Sequence, residues 1–332
     1  MKVVDMHCDT ISVLYHKMLA GEEADLAVND CMVDLAKMEA GDYCLQNFAL
    51  FTELSSLKES PLEYGMKLLD AFYTFLEAYA DRIGIVKSWK EIEENRANGK
   101  MSALLTIEEG AVCQGDLALL RNFYRLGVRM MTLTWNYPNE LGFPNRQEKN
   151  ADGRTRAKID DQNGLTKKGI AFVEEMERLG MIVDISHLND AGIWDVFSHT
   201  KKPFVASHSN ARGICPHPRN LSDEMIRALA ERGGVMGINF CAAFLETFLP
   251  GEETISRVKD MVRHIAYIKN LGGISCIGLG SDFDGIGGTL ELKDASDLPI
   301  LAQEMERAGF STGEIEAVFS KNVLRLYREI LH

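Results

Sequence analysis

The sequence predicts an α/β fold, a closed (β/α)8 barrel of the TIM type, and three observations carry that prediction. Eight short apolar runs recur along the 332 residues, and strands buried on both faces of a parallel sheet read in this way. Segments of helical period separate them, as right-handed strand–helix–strand crossovers require. Several of the runs stop at a His, Glu or Asp, the place where barrel enzymes put polar residues. A doubly wound open sheet ranks second.

The eight candidate strands lie at about 2–8, 43–50, 102–107, 128–134, 181–186, 203–207, 234–240 and 274–281. Between them, Leu165 to Leu179 has helical period and is closed by Gly180, and Asn189 to Phe197 begins at an Asn cap. A Ser88-x-x-Glu91 capping box opens another helix, and Ser311-x-x-Glu314 opens the last one, through Tyr327. No linker, low-complexity tract or short-period repeat divides the chain, so one barrel domain over residues 1–332 is expected. Two polar stretches follow strands four and six: residues 136–163, without clear periodicity, and Ser209 to Ser222, which carries Arg212, His217 and Arg219. Loops of such length in a compact domain are usually functional or disordered, and here both open on the C-terminal face, where they can cover a pocket.

Composition narrows the partners. A net charge of -13 opposes nucleic-acid binding, which needs clustered Lys and Arg. No apolar stretch approaches the roughly 20 residues that span a bilayer, and no signal-peptide pattern precedes the first strand; the cytoplasm, without a membrane partner, is the expected location. Seven cysteines, an odd number with no CxxC pair, read as small buried hydrophobes, Cys8 included because alternation points it away from His7 and Asp9.

The chemistry lies in a constellation. His7 and Asp9 project to one side of an extended strand about 6.5–7 Å apart, so both reach one cation. Glu108, His187 and His208 end the third, fifth and sixth strands, which converge on one mouth of a barrel. Three imidazoles and two carboxylates suit Zn(II) or a similar ion, and a carboxylate can bridge two ions that share a hydroxide. The eighth strand ends Gly280-Ser281-Asp282-Phe283-Asp284, where Asp282 can orient or deprotonate water. A single histidine at a strand end is more often a hydrogen-bonded structural residue, but five coincident ligands are not explained that way. Alternation lets only one of Glu108 and Glu109 face inward, and Glu108 is chosen. His16, His199, His264 and His332 are assigned to solvent or packing, and His217 to a rigid Pro-flanked turn.

The segments Asp5-Met6-His7-Cys8-Asp9-Thr10, Ile107-Glu108-Glu109-Gly110, Asp184-Ile185-Ser186-His187, Ser207-His208-Ser209 and Gly280-Ser281-Asp282-Phe283-Asp284-Gly285 together resemble the membrane (renal) dipeptidase family, peptidase family M19, among the amidohydrolase-like metal-dependent hydrolases. Arg219-Asn220 and Asn322-Val323-Leu324-Arg325 extend the resemblance over nearly the full chain. It implies a dipeptidase with two Zn2+ per chain: His7 and Asp9 on one, His187 and His208 on the other, and Glu108 bridging. It further implies that a hydroxide between the metals attacks the peptide carbonyl, that Asp282 carries the proton to the departing amine, and that Arg219 grips the substrate's C-terminal carboxylate. Free L-Xaa-L-Xaa and L-Xaa-D-Xaa dipeptides are the implied substrates, and a homodimer the implied assembly. A metal-dependent hydrolase of a lactam or N-acyl amino acid, or a non-catalytic metal-binding protein, are the alternatives. The chain departs from the family after strand four, where Thr132-Leu133-Thr134-Trp135-Asn136 puts Trp135 in place of the histidine of a Leu-Thr-His context. The family histidine stabilises an oxyanion; Trp135 has one N–H donor and cannot become cationic, leaving Asn136 or the second zinc to substitute, or Trp135 to wall the pocket.

Overall fold

The eight apolar runs pair edge to edge in chain order until the first meets the last. In the computed structural model, which describes residues 1–332, they form β1 (Val3–Asp5), β2 (Tyr43–Phe51), β3 (Met101–Glu108), β4 (Met130–Thr132), β5 (Ile182–Asp184), β6 (Val205–Ala206), β7 (Val235–Ile238) and β8 (Ile277–Leu279). Every neighbouring pair is parallel, and closure comes where Asp5 of β1 lies opposite Leu279 of β8. That closure decides for the (β/α)8 barrel over the open sheet. A further strand, Ile83–Val86, pairs with the N-terminal half of β3, and no sequence signal foretold it.

One mouth of the barrel is stopped. Val4, Leu45, Leu104, Met130, Ile182, Val205 and Val235, one residue from each of β1 to β7, cluster with Val323, Leu326, Tyr327 and Ile330 of the C-terminal helix Asn322–Ile330. The eighth strand offers Gly278 at this level, where a Cβ would lie 2.8 Å from Val323 Cγ2 and 3.0 Å from Val235 Cγ1. Glycine is needed there because the helix packs where a side chain would stand. Burial of such apolar side chains stabilises by roughly 1.5–3 kcal/mol each. A larger apolar layer, including Phe48, Phe72, Phe172 and Phe204, fills the space between barrel and outer helices. Cys8 belongs to that outer layer, as alternation predicts.

Local signals set most helix ends. The helix Lys167–Leu179 starts at Thr166, whose hydroxyl accepts the Gly169 N–H, and ends on left-handed Gly180; Asp190–His199 starts at the Asn189 cap. Two expectations need correction. Ser88 does accept the Glu91 N–H, but the Glu91 carboxylate accepts from the Lys87 N–H rather than closing a reciprocal box. The last helical stretch is not continuous: after the Ser311 capping box, Thr312–Glu316 passes into a π turn at Ala317–Lys321 before Asn322–Ile330. The Asn322 amide then donates to the carbonyls of Ile274 and Ile277, fastening the plug beneath β8.

The two polar loops meet over the open mouth. Within the first, Arg146–Lys149 and Thr155–Lys158 form an antiparallel hairpin, and Ala157 N–H donates to Pro216 O of the second. No helix is long and apolar enough to cross a membrane.

Gly278→Ala is expected to destabilise the fold by about 1–3 kcal/mol through overpacking, with Val323→Ala recovering part of the loss. Urea unfolding of the single and double variants checks this, and additive losses would contradict the proposed collision.

Candidate metal centre

The strand ends of β1, β3, β5 and β6 bring the five sequence-chosen ligands together. Glu108 is central and 2 % exposed, with Oε1 3.0 Å from His187 Nε2 and 3.4 Å from His208 Nε2, and Oε2 3.3 Å from His7 Nε2. Asp9 Oδ2 lies 3.6 Å from His7 Nε2 on the other side. The His7 and His208 rings stack with centroids 3.9 Å apart. Two groups, His7–Glu108–His208 and His7–Asp9–Asp282, each hold their ligand atoms within 4.8 Å of one another. Asp282, expected as a proton carrier, thus also stands where it can ligate.

The hydrogen-bond pattern fixes the histidine tautomers. Ser207 donates its hydroxyl hydrogen to Asp184 Oδ2 (2.5 Å), so its Oγ accepts from His208 Nδ1–H (2.7 Å) and leaves Nε2 a bare lone pair. His187 Nδ1 lies 3.0 Å from the Asn136 side-chain oxygen, an acceptor, so its Nε2 is bare as well. Those two nitrogens are 3.1 Å apart and both face Glu108. Burial, then the Arg219 charge, pushes His187 down to about 4; burial, then the neighbouring His7 and Arg219 charges, also depresses His208. Three electron-pair donors therefore converge with no hydrogen between them, an arrangement suited to a cation. His7 Nε2 and Asp9 Oδ1 are buried without a hydrogen-bond partner, and burial raises the pKa of both Asp9 and Asp282. The donor set fits one or more divalent ions that favour nitrogen and oxygen.

Backbone strain accompanies these ligands. His187 and Asp282 have φ of 69° and 63°, the left-handed region that costs roughly 1–3 kcal/mol for such residues. Asp5 and Asp184 hold the adjoining chain ends in matching ways. Asp5 accepts from the N–H and hydroxyl of Ser281, and Asp184 from the N–H groups of Ser186 and Ser207 and the hydroxyls of Thr132 and Ser207. Asn239 donates to Asp282 Oδ2 (2.8 Å). None of these supporting residues was given a role from the sequence, although Asp5, Asp184, Ser186, Ser207 and Ser281 lie inside quoted motifs.

Over the ligands lies a cavity of about 790 Å³. Arg219, Trp135, Asn136 and Asp282 all line it, with Asn145 and Gln147 of the hairpin loop and His217 of the second loop. Arg219 is 5 % exposed; its Nη2 donates to His208 O, while Nε and Nη1 have no partner. Trp135 packs edge-on against Phe51, centroids 5.0 Å apart, and walls the pocket; Asn136 meets His187 Nδ1 through its side-chain oxygen. His16, assigned to solvent or packing, lines the cavity and meets the Tyr64 hydroxyl at 2.8 Å. His217 combines its turn role, accepting Arg219 N–H at Nδ1, with a place in the cavity wall. His264 is buried packing, bonded to Ala211 N–H and Leu245 O.

Comparison with known proteins agrees. The family model for membrane dipeptidases, peptidase family M19, matches residues 1–332. This chain belongs to peptidase family M19. It is 34% identical over 266 residues to dipeptidase verJ of Clonostachys rogersoniana, covering 80% of this chain and 64% of that one. It is 31% identical over 309 residues to dipeptidase aclJ of Aspergillus oryzae, covering 90% and 70% respectively. The solved structure of an M19 metallopeptidase, dipeptidase AC, matches with a TM-score of 0.89 at 25% identity, covering 100% of this chain and 99% of the other. The M19 chain is accordingly a metallopeptidase of the dipeptidase type.

Replacing Ser207 by Ala removes the acceptor for His208 Nδ1–H. Affinity for a divalent ion should fall about 10–100-fold, measured by chelator competition, with an unchanged affinity counting against this tautomer assignment.

Proposed function

We propose that this M19 enzyme hydrolyses the peptide bond of free dipeptides, L-Xaa-L-Xaa and L-Xaa-D-Xaa, with two Zn2+ per chain. His7 and Asp9 would hold one ion, His187 and His208 the other, and Glu108 both. Bound zinc lowers the pKa of water and polarises a carbonyl oxygen, the two things amide hydrolysis needs at neutral pH.

Arg219 carries the reading. A guanidinium buried beside a cavity with two N–H-bearing nitrogens unpartnered is built to receive a planar anion, and a carboxylate accepts two parallel hydrogen bonds from it. Its location sets the length of the substrate: Arg219 Nη2 and Asn239 Nδ2 both donate to His208 O, so the anion receptor adjoins a metal ligand. A carboxylate held there would belong to a substrate whose scissile bond lies close to its C-terminus, as in a free dipeptide. The plugged far mouth and the two loops prevent a longer chain from threading through.

The remaining roles follow from the chain's own groups. Asp282 is half-buried and fastened at Oδ2 by Asn239, which leaves Oδ1 to take a proton from the attacking water and return it to the leaving amine. Trp135 and Phe51 exclude water and meet substrate side chains. Trp135 supplies no positive charge, so stabilisation of the oxyanion rests on the metal site.

Rates with matched dipeptides, free or amidated at the C-terminus, test the proposal. Amidation should lower kcat/KM roughly 10–100-fold, the cost of a charge-assisted hydrogen bond of about 1.5–3 kcal/mol. Arg219→Lys should penalise the free dipeptides and leave the amidated ones nearly unaffected. Equal cleavage of both substrate forms would point instead to a hydrolase of another amide.

A further inference from the structure

Glu109 follows the central ligand and faces away from it. Its backbone has φ 98°, where an L side chain is strained and glycine is not, yet its side chain is wholly buried. The carboxylate accepts from Trp135 N–H (3.0 Å), Ala111 N–H (2.9 Å) and the Asn139 side-chain amide. That amide also donates to Leu133 O, while its oxygen accepts from Leu141 and Gly142 N–H. One carboxylate thus ties the end of β3 to both ends of the turn running from Trp135 to Asn139. The turn presents two side chains to the cavity, Trp135 against Phe51 and Asn136 against His187 Nδ1.

We propose that Glu109 is a positioning residue, acting through the Trp135–Asn139 turn to aim the Asn136 carbonyl at His187 and the Trp135 ring at the substrate. The proposal rests on His187 being a metal ligand. The conformational strain at Glu109 is then tolerated because an acceptor at this one place satisfies three donors at once. Glutamine cannot replace it: its amide end adds hydrogens where each neighbour already brings one. Small residues without a carboxylate free the turn entirely.

Three full-length variants test it: Glu109→Gln, Asn136→Ala and the double variant, with zinc affinity read by chelator competition and KM on a dipeptide with an apolar side chain. Glu109→Gln should lower zinc affinity about 10-fold, within the range for groups that orient a metal ligand, and raise KM. In the double variant the affinity loss should equal that of Asn136→Ala alone, because both changes break one path to His187. Additive losses, or a Glu109→Gln protein with wild-type zinc affinity and KM, would overturn the proposal. A Glu109→Gly variant separates this role from bulk stability. It relieves the strained backbone, so the proposal expects the same affinity loss without a matching fall in melting temperature; lower melting with intact affinity would overturn it. Wild-type protein that binds no zinc would defeat the metallopeptidase reading, whereas zinc binding indifferent to Glu109 would defeat this inference alone.

Discussion

Convergence of unprotonated electron pairs on Glu108 is the constraint around which this molecule is arranged. The lone pairs of His187 and His208 face each other at 3.1 Å, with a carboxylate oxygen 3.0 and 3.4 Å from them. The facing lone pairs repel one another, and a rigid frame keeps them together where a cation would bind them. A closed barrel supplies that frame, because each ligand leaves a strand whose neighbours on both sides are fixed by backbone hydrogen bonds. The plug formed by the C-terminal helix contributes apolar burial at the opposite mouth, far from the charged groups. Stability and chemistry therefore occupy different ends of the same strands.

Around the ligands, shared acceptors do the orienting. Asp184, at the end of β5, collects four donors, one from β4, one from just past β5 and two from just past β6, and through Ser207 fixes the protonation of His208. Asp5 plays the matching part between β1 and the segment following β8. Each buried carboxylate loses hydration and regains it as several directed hydrogen bonds, which also set the strand ends in register. The left-handed conformations of His187, Asp282 and Glu109 are sustained by the same networks, and strain of this kind concentrates where a site dictates the geometry.

Much of this was legible in the sequence, for physical reasons. The barrel strands are buried on both faces and so read as unbroken apolar runs, and the candidate ligands stand at their ends. Ile83–Val86 escaped notice because it pairs along only half of β3, and the hairpin at Arg146–Lys149 because its strands are short and polar. Amphipathic period located the last helix but not which surface it covers; Gly278 and Val323 become a pair only in three dimensions. Alternation correctly turned Glu109 away from the ligands, yet its partners Trp135 and Asn139 lie on another strand's loop. Asp184, Ser207 and Asn239 act through contacts between distant parts of the chain, which spacing alone does not reveal.

Anomalous diffraction from zinc-loaded crystals, recorded on both sides of the zinc absorption edge, tests the central claim most directly. Two peaks touching Glu108 are expected, one bounded by His7 and Asp9 and the other by His187 and His208. Zinc bound elsewhere, or no ordered ion at these side chains in a fully loaded crystal, would contradict the account.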